Sequence, residues 1–250
     1  MAPAIALCAL GLVAARAEAQ AAPASDTAVV AQARYEDDAD DMLGLLARGG
    51  LLFDYDSPYQ YGGVAMQNVH YAQDGWSDDI VGIVGMYRNQ QRTTLTGLRA
   101  EGGLAVVGGE VRPIGDVTWS LRPRESTGVE LIAAGDVVAT RAAIERSISY
   151  GYAAASVEQQ FGPRWTATGL VGWQPFTDGN SRTQFRARLI YALMPEQGVS
   201  AQARWRQYSS SEQDVERAYF NPEHYRNWDV GLTWRRRVHG WTVAGLAGLG

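Results

Sequence analysis

The C-terminal third of the chain contains three pairs of arginines whose members stand two residues apart. They are Arg186 with Arg188, Arg204 with Arg206, and Arg235 with Arg237. Residues two apart on a β-strand point to the same face, and a guanidinium binds a carboxylate or phosphate group through two parallel hydrogen bonds. A wall of such arginines along an enclosed channel would attract anionic solutes and set its selectivity.

The same pattern has a structural explanation that the sequence leaves open. Inward-facing carboxylates, with Glu130, Glu158 and Asp229 as the candidates, would pair with these arginines and hold the interior of the protein together. A sequence does not show which residues face each other, so both interpretations stand at this point.

Three aromatic residues form a second set with binding potential. Tyr219, Phe220 and Tyr225 surround Pro222, which cannot donate a hydrogen bond to a neighbouring strand. Their flat faces could pack against sugar rings, although an ordinary loop anchored by aromatic side chains would have the same sequence. We treat the three aromatics as candidates for sugar contact along the same path as the arginines.

No arrangement of residues predicts catalysis. The sequence has no nucleophile elbow, no phosphate-binding loop, which would need a lysine, and no zinc motif. The three histidines, His70, His224 and His239, are far apart in sequence, so a lipid-modifying enzyme built around a histidine is not favoured. We therefore expect a protein that is not an enzyme and that binds no metal and no cofactor.

The composition favours strands and argues against a nucleic-acid partner. The chain has 28 glycines, 8 tryptophans and 12 tyrosines, a combination that suits strands joined by tight turns. All 22 basic residues are arginines, yet the net charge is -5. Because an acidic chain is poorly suited to a phosphate backbone, we expect no nucleic-acid binding.

Turn signals recur from residue 61 onward with a period of about 17 residues, which leaves strands of roughly ten residues or more. A strand of about nine to eleven tilted residues crosses a bilayer. Apolar and polar residues also alternate, as expected where one face meets lipid and the other a lumen. In residues 199–208 the apolar face consists of Val199, Ala201, Ala203 and Trp205. The fold class that we predict is all-β, a transmembrane antiparallel β-barrel with about eleven strands.

The chain divides into three predicted segments. Residues 1–21 resemble a secretory signal peptide with small residues at its cleavage region. Residues 22–60 are expected to form an acidic linker with a short helix over residues 41–48, since their acidic residues lack the spacing of a calcium loop. Residues 61–250 form the predicted barrel, and its odd strand count and missing terminal aromatic predict truncation at the C-terminus. We expect export to the outer membrane of a Gram-negative cell.

Three short stretches carry a resemblance to a known family. The first comprises residues 135–140, 143–144 and 147–150, the second is residues 176–182, and the third is residues 218–225. In this order they resemble the C-terminal outer-membrane porin barrels of exopolysaccharide export proteins, such as those that export cellulose and poly-N-acetylglucosamine. The likeness spans roughly residues 130–240. Large members of the family carry tetratricopeptide repeats before the barrel, and this sequence has none there.

The resemblance implies a channel through which a secreted polysaccharide leaves the cell. Its partners would be outer-membrane lipid, the polysaccharide and the synthase machinery that drives it. The alternative is a structural or adhesive barrel whose lumen is closed by pairs of arginine and carboxylate side chains and whose loops carry the function.

Overall fold

Alternating apolar and polar residues form β-strands along most of the chain. The computed structural model describes residues 26–38, 41–212, 215, 218–238 and 241–250. The strands in these ranges are β1 (Thr27–Asp37), β2 (Leu43–Ser57), β3 (Gln60–Gln73), β4 (Trp76–Gln90), β5 (Gly97–Val107), β6 (Glu110–Arg124), β7 (Thr127–Val137), β8 (Ser149–Phe161), β9 (Trp165–Pro175), β10 (Ser181–Met194), β11 (Val199–Ser210), β12 (His224–Val238) and β13 (Trp241–Leu249). A short helix, α1 (Arg141–Glu145), and a 3-10 turn, Pro195–Gln197, lie between strands.

The thirteen strands make one antiparallel sheet in which each strand pairs with its neighbours in the chain. The prediction of an all-β, antiparallel fold is confirmed. From residue 61 onward almost the whole chain lies in eleven strands, β3 to β13, as the turn spacing predicts. In the described residues β1 pairs only with β2 and β13 only with β12, so the sheet is open.

Side-chain interactions between distant strands show that the sheet is strongly curved. The guanidinium of Arg34 on β1 interacts electrostatically with the carboxylate of Asp136 on β7. In a flat sheet these strands would lie about 29 Å apart, because six strand spacings separate them. Arg48 on β2 also donates from Nη1 to Oε2 of Glu101 on β5, at 2.7 Å. We call the face that carries these residues the inner face and the opposite one the outer face.

Helix α1 packs against the inner face of the N-terminal half of the sheet. Its Ile144 is fully buried in an apolar cluster with Val107 and Val137. The Thr140 hydroxyl accepts a hydrogen bond from the amide of Ala143 at 3.3 Å, which caps the helix. The helix belongs to the connection between β7 and β8, at the end of the sheet that also carries residues 211–223. We call it the long-loop end and the other the short-turn end.

The outer face is apolar and exposed along the whole sheet. Side chains such as Met66 on β3, Ile83 on β4 and Leu232 on β12 expose half or more of their surface. On β9 two exposed tryptophans, Trp165 and Trp173, stand eight residues apart, which corresponds to about 26 Å along the strand. The region between them is a continuous apolar surface.

A row of glycines crosses the outer face of five neighbouring strands. The register places each glycine directly opposite the next: Gly85, Gly102, Gly115, Gly135 and Gly151. Glycines inside strands commonly mark a bend, since no side chain resists the change of direction. The row therefore lies where the curved part of the sheet can bend most easily.

The predicted linker at residues 22–60 is wrong, because most of it is sheet. Strand β1 covers Thr27–Asp37 and strand β2 covers Leu43–Ser57, so the helix predicted for residues 41–48 is also absent. Leucines occupy both faces of β2: Leu51 is exposed on the outer face, whereas Leu52 is buried in the inner cluster. With apolar residues on both faces the alternation disappears from the sequence.

The predicted signal peptide, residues 1–21, lies outside the described residues. Within the described ranges, no helix has the length and apolar character needed to cross a membrane.

Candidate functional site

Four of the six candidate arginines lie side by side on the inner face of β10 and β11. The strand register places Arg186 directly opposite Arg206 and Arg188 directly opposite Arg204. On the next strand, Asp229 of β12 stands opposite Arg204. The register thus brings two of the three predicted pairs together on one face of the sheet, and we call these four residues the arginine wall.

Two buried glutamines and one aspartate hold three of these arginines. Both Nε and Nη2 of Arg188 donate to Oε1 of Gln202, at 3.0 and 2.6 Å. Nε of Arg204 donates to Oδ1 of Asp229 at 2.5 Å. On the neighbouring row, Nη2 of Arg186 donates to Oε1 of Gln184 at 2.9 Å. These bonds fix the direction of the guanidinium groups along the wall.

Nearby carboxylates do not compensate the positive charges of these arginines equally. Arg204 has a carboxylate partner, whereas Arg186 has only a neutral amide, and Arg206 has neither a hydrogen bond nor an ion pair with any described residue. Of the three carboxylates considered as partners, only Asp229 pairs with one of these arginines. Glu130 instead accepts a hydrogen bond from the Ser120 hydroxyl at 3.3 Å. The wall thus keeps a net positive charge.

The third pair of arginines lies elsewhere. Arg235 and Arg237 are exposed near the short-turn end of β12, and the amide of Arg235 donates to the carbonyl oxygen of Gly198 at 2.9 Å. Arg235 is six residues from Asp229, or about 20 Å along the strand. The alternation of β12 puts this pair on the same face as Asp229, but beside the turn after β10 and apart from the other four arginines.

Aromatic rings continue the arginine wall toward the long-loop end. Tyr208 of β11 and Tyr225 of β12 stack with their ring centroids 4.7 Å apart, and the rings of Phe220 and Tyr225 lie nearly perpendicular with their centroids 6.3 Å apart. The guanidinium of Arg182 lies 4.6 Å from the centroid of Tyr208. Since Phe220 is 68% exposed, this group offers accessible aromatic surface. We call these four residues the aromatic mouth.

Tyr219 does not belong to that accessible surface. It is buried and stacks on Phe176 with centroids 4.8 Å apart. Its hydroxyl donates to Oδ2 of Asp178 at 2.8 Å and accepts from Nδ2 of Asn180 at 3.0 Å. Burial, the main cause, together with the nearby Asp178 carboxylate, raises the pKa of Tyr219 to about 12. The expectation of a free Tyr219 ring is therefore wrong, and this residue anchors its loop.

The three stretches singled out in the sequence meet at the long-loop end. The Thr140 hydroxyl donates to the carbonyl oxygen of Ala218 at 2.5 Å, which joins the first stretch to the third. The amide of Ser149 donates to the Thr177 hydroxyl at 3.0 Å, which joins the first to the second. A small apolar cluster that includes Phe176 fills the space between them. The stretches therefore build one support beside the aromatic mouth.

Several residues of this site could not be identified from the sequence. Gln184 and Gln202 have the alternation expected of the inner face, but nothing in the sequence shows that they bind arginines. Tyr152 of β8 lies across Gly172 of β9, where a Cβ atom would come within 2.7 Å of its hydroxyl. The sequence does not show that Gly172 lies beside Tyr152, because this placement depends on the register of the two strands.

Other residues considered in the sequence show no comparable arrangement. Nδ1 of His70 lies 3.1 Å from Oδ1 of Asp79, His224 begins β12, and His239 is outside the described ranges. Among the described residues no group of three or more histidine, cysteine, aspartate or glutamate side chains is placed to hold a metal ion. Comparison of the chain with protein-family models and with curated proteins finds no match.

Proposed function

We propose that this chain forms an outer-membrane β-barrel that acts as a non-enzymatic channel for export of an exopolysaccharide. The observation that carries the proposal is the division of the sheet into two faces. One face exposes large apolar side chains, and the other holds arginines, glutamines and tyrosines joined by hydrogen bonds. A water-filled passage across a lipid bilayer needs this division.

The outer face fits a bilayer in extent and in composition. Soluble monomers rarely expose contiguous apolar patches larger than a few hundred Å², whereas this surface continues over thirteen strands. The tryptophans of β9, Trp165 and Trp173, are separated by about the height of the apolar band of outer-membrane barrels, roughly 25 Å. Tryptophan favours the two interfaces of a membrane, where one part of its ring is apolar and another polar.

The inner face suits a hydrated polymer rather than an apolar ligand. Rings in the aromatic mouth, such as Tyr225 and Phe220, offer flat surfaces for sugar rings, and the amides and guanidinium groups below them can hydrogen-bond to hydroxyl groups. The choice of an exopolysaccharide among such polymers rests on the resemblance of the three stretches to the export porins. The same resemblance implies that the synthase machinery is a partner.

A second candidate is a structural or adhesive barrel with a closed lumen. The observation in its favour is the apolar cluster on the inner face, in which Ile144 of α1 packs against Val107. The ion pair between Arg48 and Glu101 also crosses the inner face from β2 to β5. These contacts fill space along the inner face of β2 to β7, whereas the arginine wall lies on β10 and β11.

Fractionation and conductance measurements test the proposal. We expect the protein in the outer-membrane fraction, with a mobility on gels that changes on heating, and we expect ion conductance after insertion into planar bilayers. A soluble protein that does not respond to heating would contradict the membrane assignment. A folded membrane protein without conductance, both intact and with residues 211–223 shortened, would favour the closed barrel instead.

A further inference from the structure

We infer that the exported polymer is acidic and that Arg186 and Arg206 bind its carboxylate groups. This inference rests on the proposed function, because it names the chemical class of the polymer that would pass along the inner face. It is carried by two adjacent positive charges that have no carboxylate partner among the described residues.

The position of the two arginines is unfavourable in the absence of a ligand. Residues directly opposite on antiparallel strands have Cβ atoms about 5 Å apart, and like charges in this arrangement destabilise a sheet. Arg186 and Arg206 occupy such a position. Their neighbours along the same row are Leu170 on β9 and Asn227 on β12, neither of which carries a charge.

Three other arginines of the inner face pair with carboxylates. Arg48 pairs with Glu101, Arg99 with Asp116, and Arg204 with Asp229, each within 2.8 Å. The difference between Arg204 and Arg206 is informative, because they are two residues apart on the same strand and face the same way. A carboxylate supplied by a ligand would complete the row of Arg206 as Asp229 completes the row of Arg204.

The surroundings match a sugar that carries an acid group. Two guanidinium forks can each hold a carboxylate through paired hydrogen bonds. The ring of Tyr208 lies two residues further along β11 than Arg206, at about 7 Å, and interacts electrostatically with the Arg206 guanidinium. A sugar chain that contacts the aromatic mouth would therefore bring the acid group of an adjacent unit to the arginines.

Carboxylates on neighbouring strands would direct an anion toward this wall. Glu130 of β7 lies on the same row as Arg186, three strands away, through Ser156 and Leu170. Glu158 of β8 lies on the row of Arg188, two strands away, through Thr168. Neither glutamate forms an ion pair with a described residue. An acidic chain entering the interior would be repelled from β7 and β8 and attracted to β10 and β11.

Binding to the full chain folded in detergent tests the inference. The probe is tetragalacturonate, a carboxylated oligosaccharide, with neutral maltotetraose and free acetate as comparisons, and the readout is isothermal titration calorimetry. We expect tetragalacturonate to bind, maltotetraose to bind at least tenfold more weakly, and acetate to bind too weakly to measure. Affinity for tetragalacturonate should fall as salt is added, since charges carry the interaction.

Substitutions at Arg186 and Arg206 test whether these two residues form the binding site. The double substitution Arg186→Gln with Arg206→Gln should weaken tetragalacturonate binding at least tenfold and leave maltotetraose binding unchanged. Lysines at both positions should restore part of the affinity, because they keep the charge but lose the paired hydrogen bonds. Arg92→Gln, in the exposed turn after β4, removes one positive charge away from the wall and should have no effect. Mobility change on heating verifies that each variant is folded.

The outcomes separate this inference from the proposed channel. Equal affinity for both oligosaccharides, or an unchanged affinity in the double variant, would overturn the inference even if the protein conducts ions. Acetate that binds as tightly as tetragalacturonate would also overturn it, because the site would then hold small anions. Tetragalacturonate binding that is lost in the double variant, in a protein without conductance, would retain the acidic-sugar site at Arg186 and Arg206 and reject export through the barrel.

Discussion

Two arginines on β11 show how the same side chain takes two roles over a distance of two residues. Arg204 points at Asp229 and completes an ion pair whose carboxylate is largely covered. Arg206 faces the same interior but meets Arg186 on the next strand. Arg204 contributes to the stability of the folded sheet, whereas the charge of Arg206 remains available to bind a ligand.

Arg204→Gln should therefore destabilise the protein, whereas Arg206→Gln should not. Removal of Arg204 leaves Asp229 without its partner, and we expect a loss of about 1 kcal/mol after allowing for solvent screening. Removal of Arg206 relieves repulsion from Arg186 and should be neutral or stabilising by up to about 0.5 kcal/mol. Urea-induced unfolding in lipid vesicles measures both. Equal losses in the two variants would contradict the distinction.

Tyr219→Phe should loosen the loop and remove part of the alkaline sensitivity of the protein. The hydroxyl bonds to Asp178 and Asn180 would be lost, at a cost of about 1–2 kcal/mol. Because the pKa of Tyr219 is raised to about 12, its stabilising effect is complete below pH 10 and is lost as the pH rises from 10 toward 12. We expect faster proteolysis of residues 211–223 in the variant and a flatter stability profile in that pH range. Phe220→Ala, at an exposed ring, is the control.

At the level of strands, the row of five glycines allows the sheet to curve. Each of its five members stands opposite the next, so one line without side chains runs from β4 to β8. The members differ in the space around them. A Cβ atom on Gly102 would meet nothing within 4 Å, whereas one on Gly115 would lie 2.3 Å from the carbonyl oxygen of Glu101.

Gly115→Ala should accordingly be much more damaging than Gly102→Ala. Gly115 also has a φ of +153°, which residues with a side chain rarely adopt. We expect a loss of about 2 kcal/mol or more at Gly115 and a change within about 0.5 kcal/mol at Gly102. The midpoint of urea unfolding distinguishes them, and a Gly115→Ala protein as stable as the Gly102→Ala protein would contradict this account of the bend.

The strands of the C-terminal half can be predicted from the sequence because one face of each strand is apolar and the other is polar. Along β11 the polar residues Gln202, Arg204 and Arg206 alternate with the apolar residues Ala201, Ala203 and Trp205, so both the strand and the face of each residue follow. Along β2 leucines serve both faces, and the alternation is lost. The partner of each arginine could not be predicted, because the distance between Arg204 and Asp229 depends on a register of two strands joined by a loop of thirteen residues.

At the scale of the whole molecule, the apolar outer face and the polar inner face should respond differently to an added charge. Val171 on β9 is an exposed outer residue between Trp165 and Trp173, so Val171→Arg would place a charge inside the proposed bilayer at a cost of about 1–2 kcal/mol. Thr166→Arg places the same charge on the inner face of the same strand. We expect the first variant to lower the yield of inserted, heat-modifiable protein and the second to leave it unchanged. Equal yields would argue against lipid on the outer face.

The pairing of each strand with the next in the chain also determines how the protein can assemble. In the described sheet each strand pairs with the next one in the chain, so the loop that must close before two strands meet has at most thirteen residues and the entropy lost in closing it is limited. Because each strand pairs with the next one in the chain, the described sheet needs no main-chain pairing between strands that are distant in sequence, which favours folding. Assembly can therefore advance one hairpin at a time, and a substitution that slows one hairpin delays only the strands that add after it.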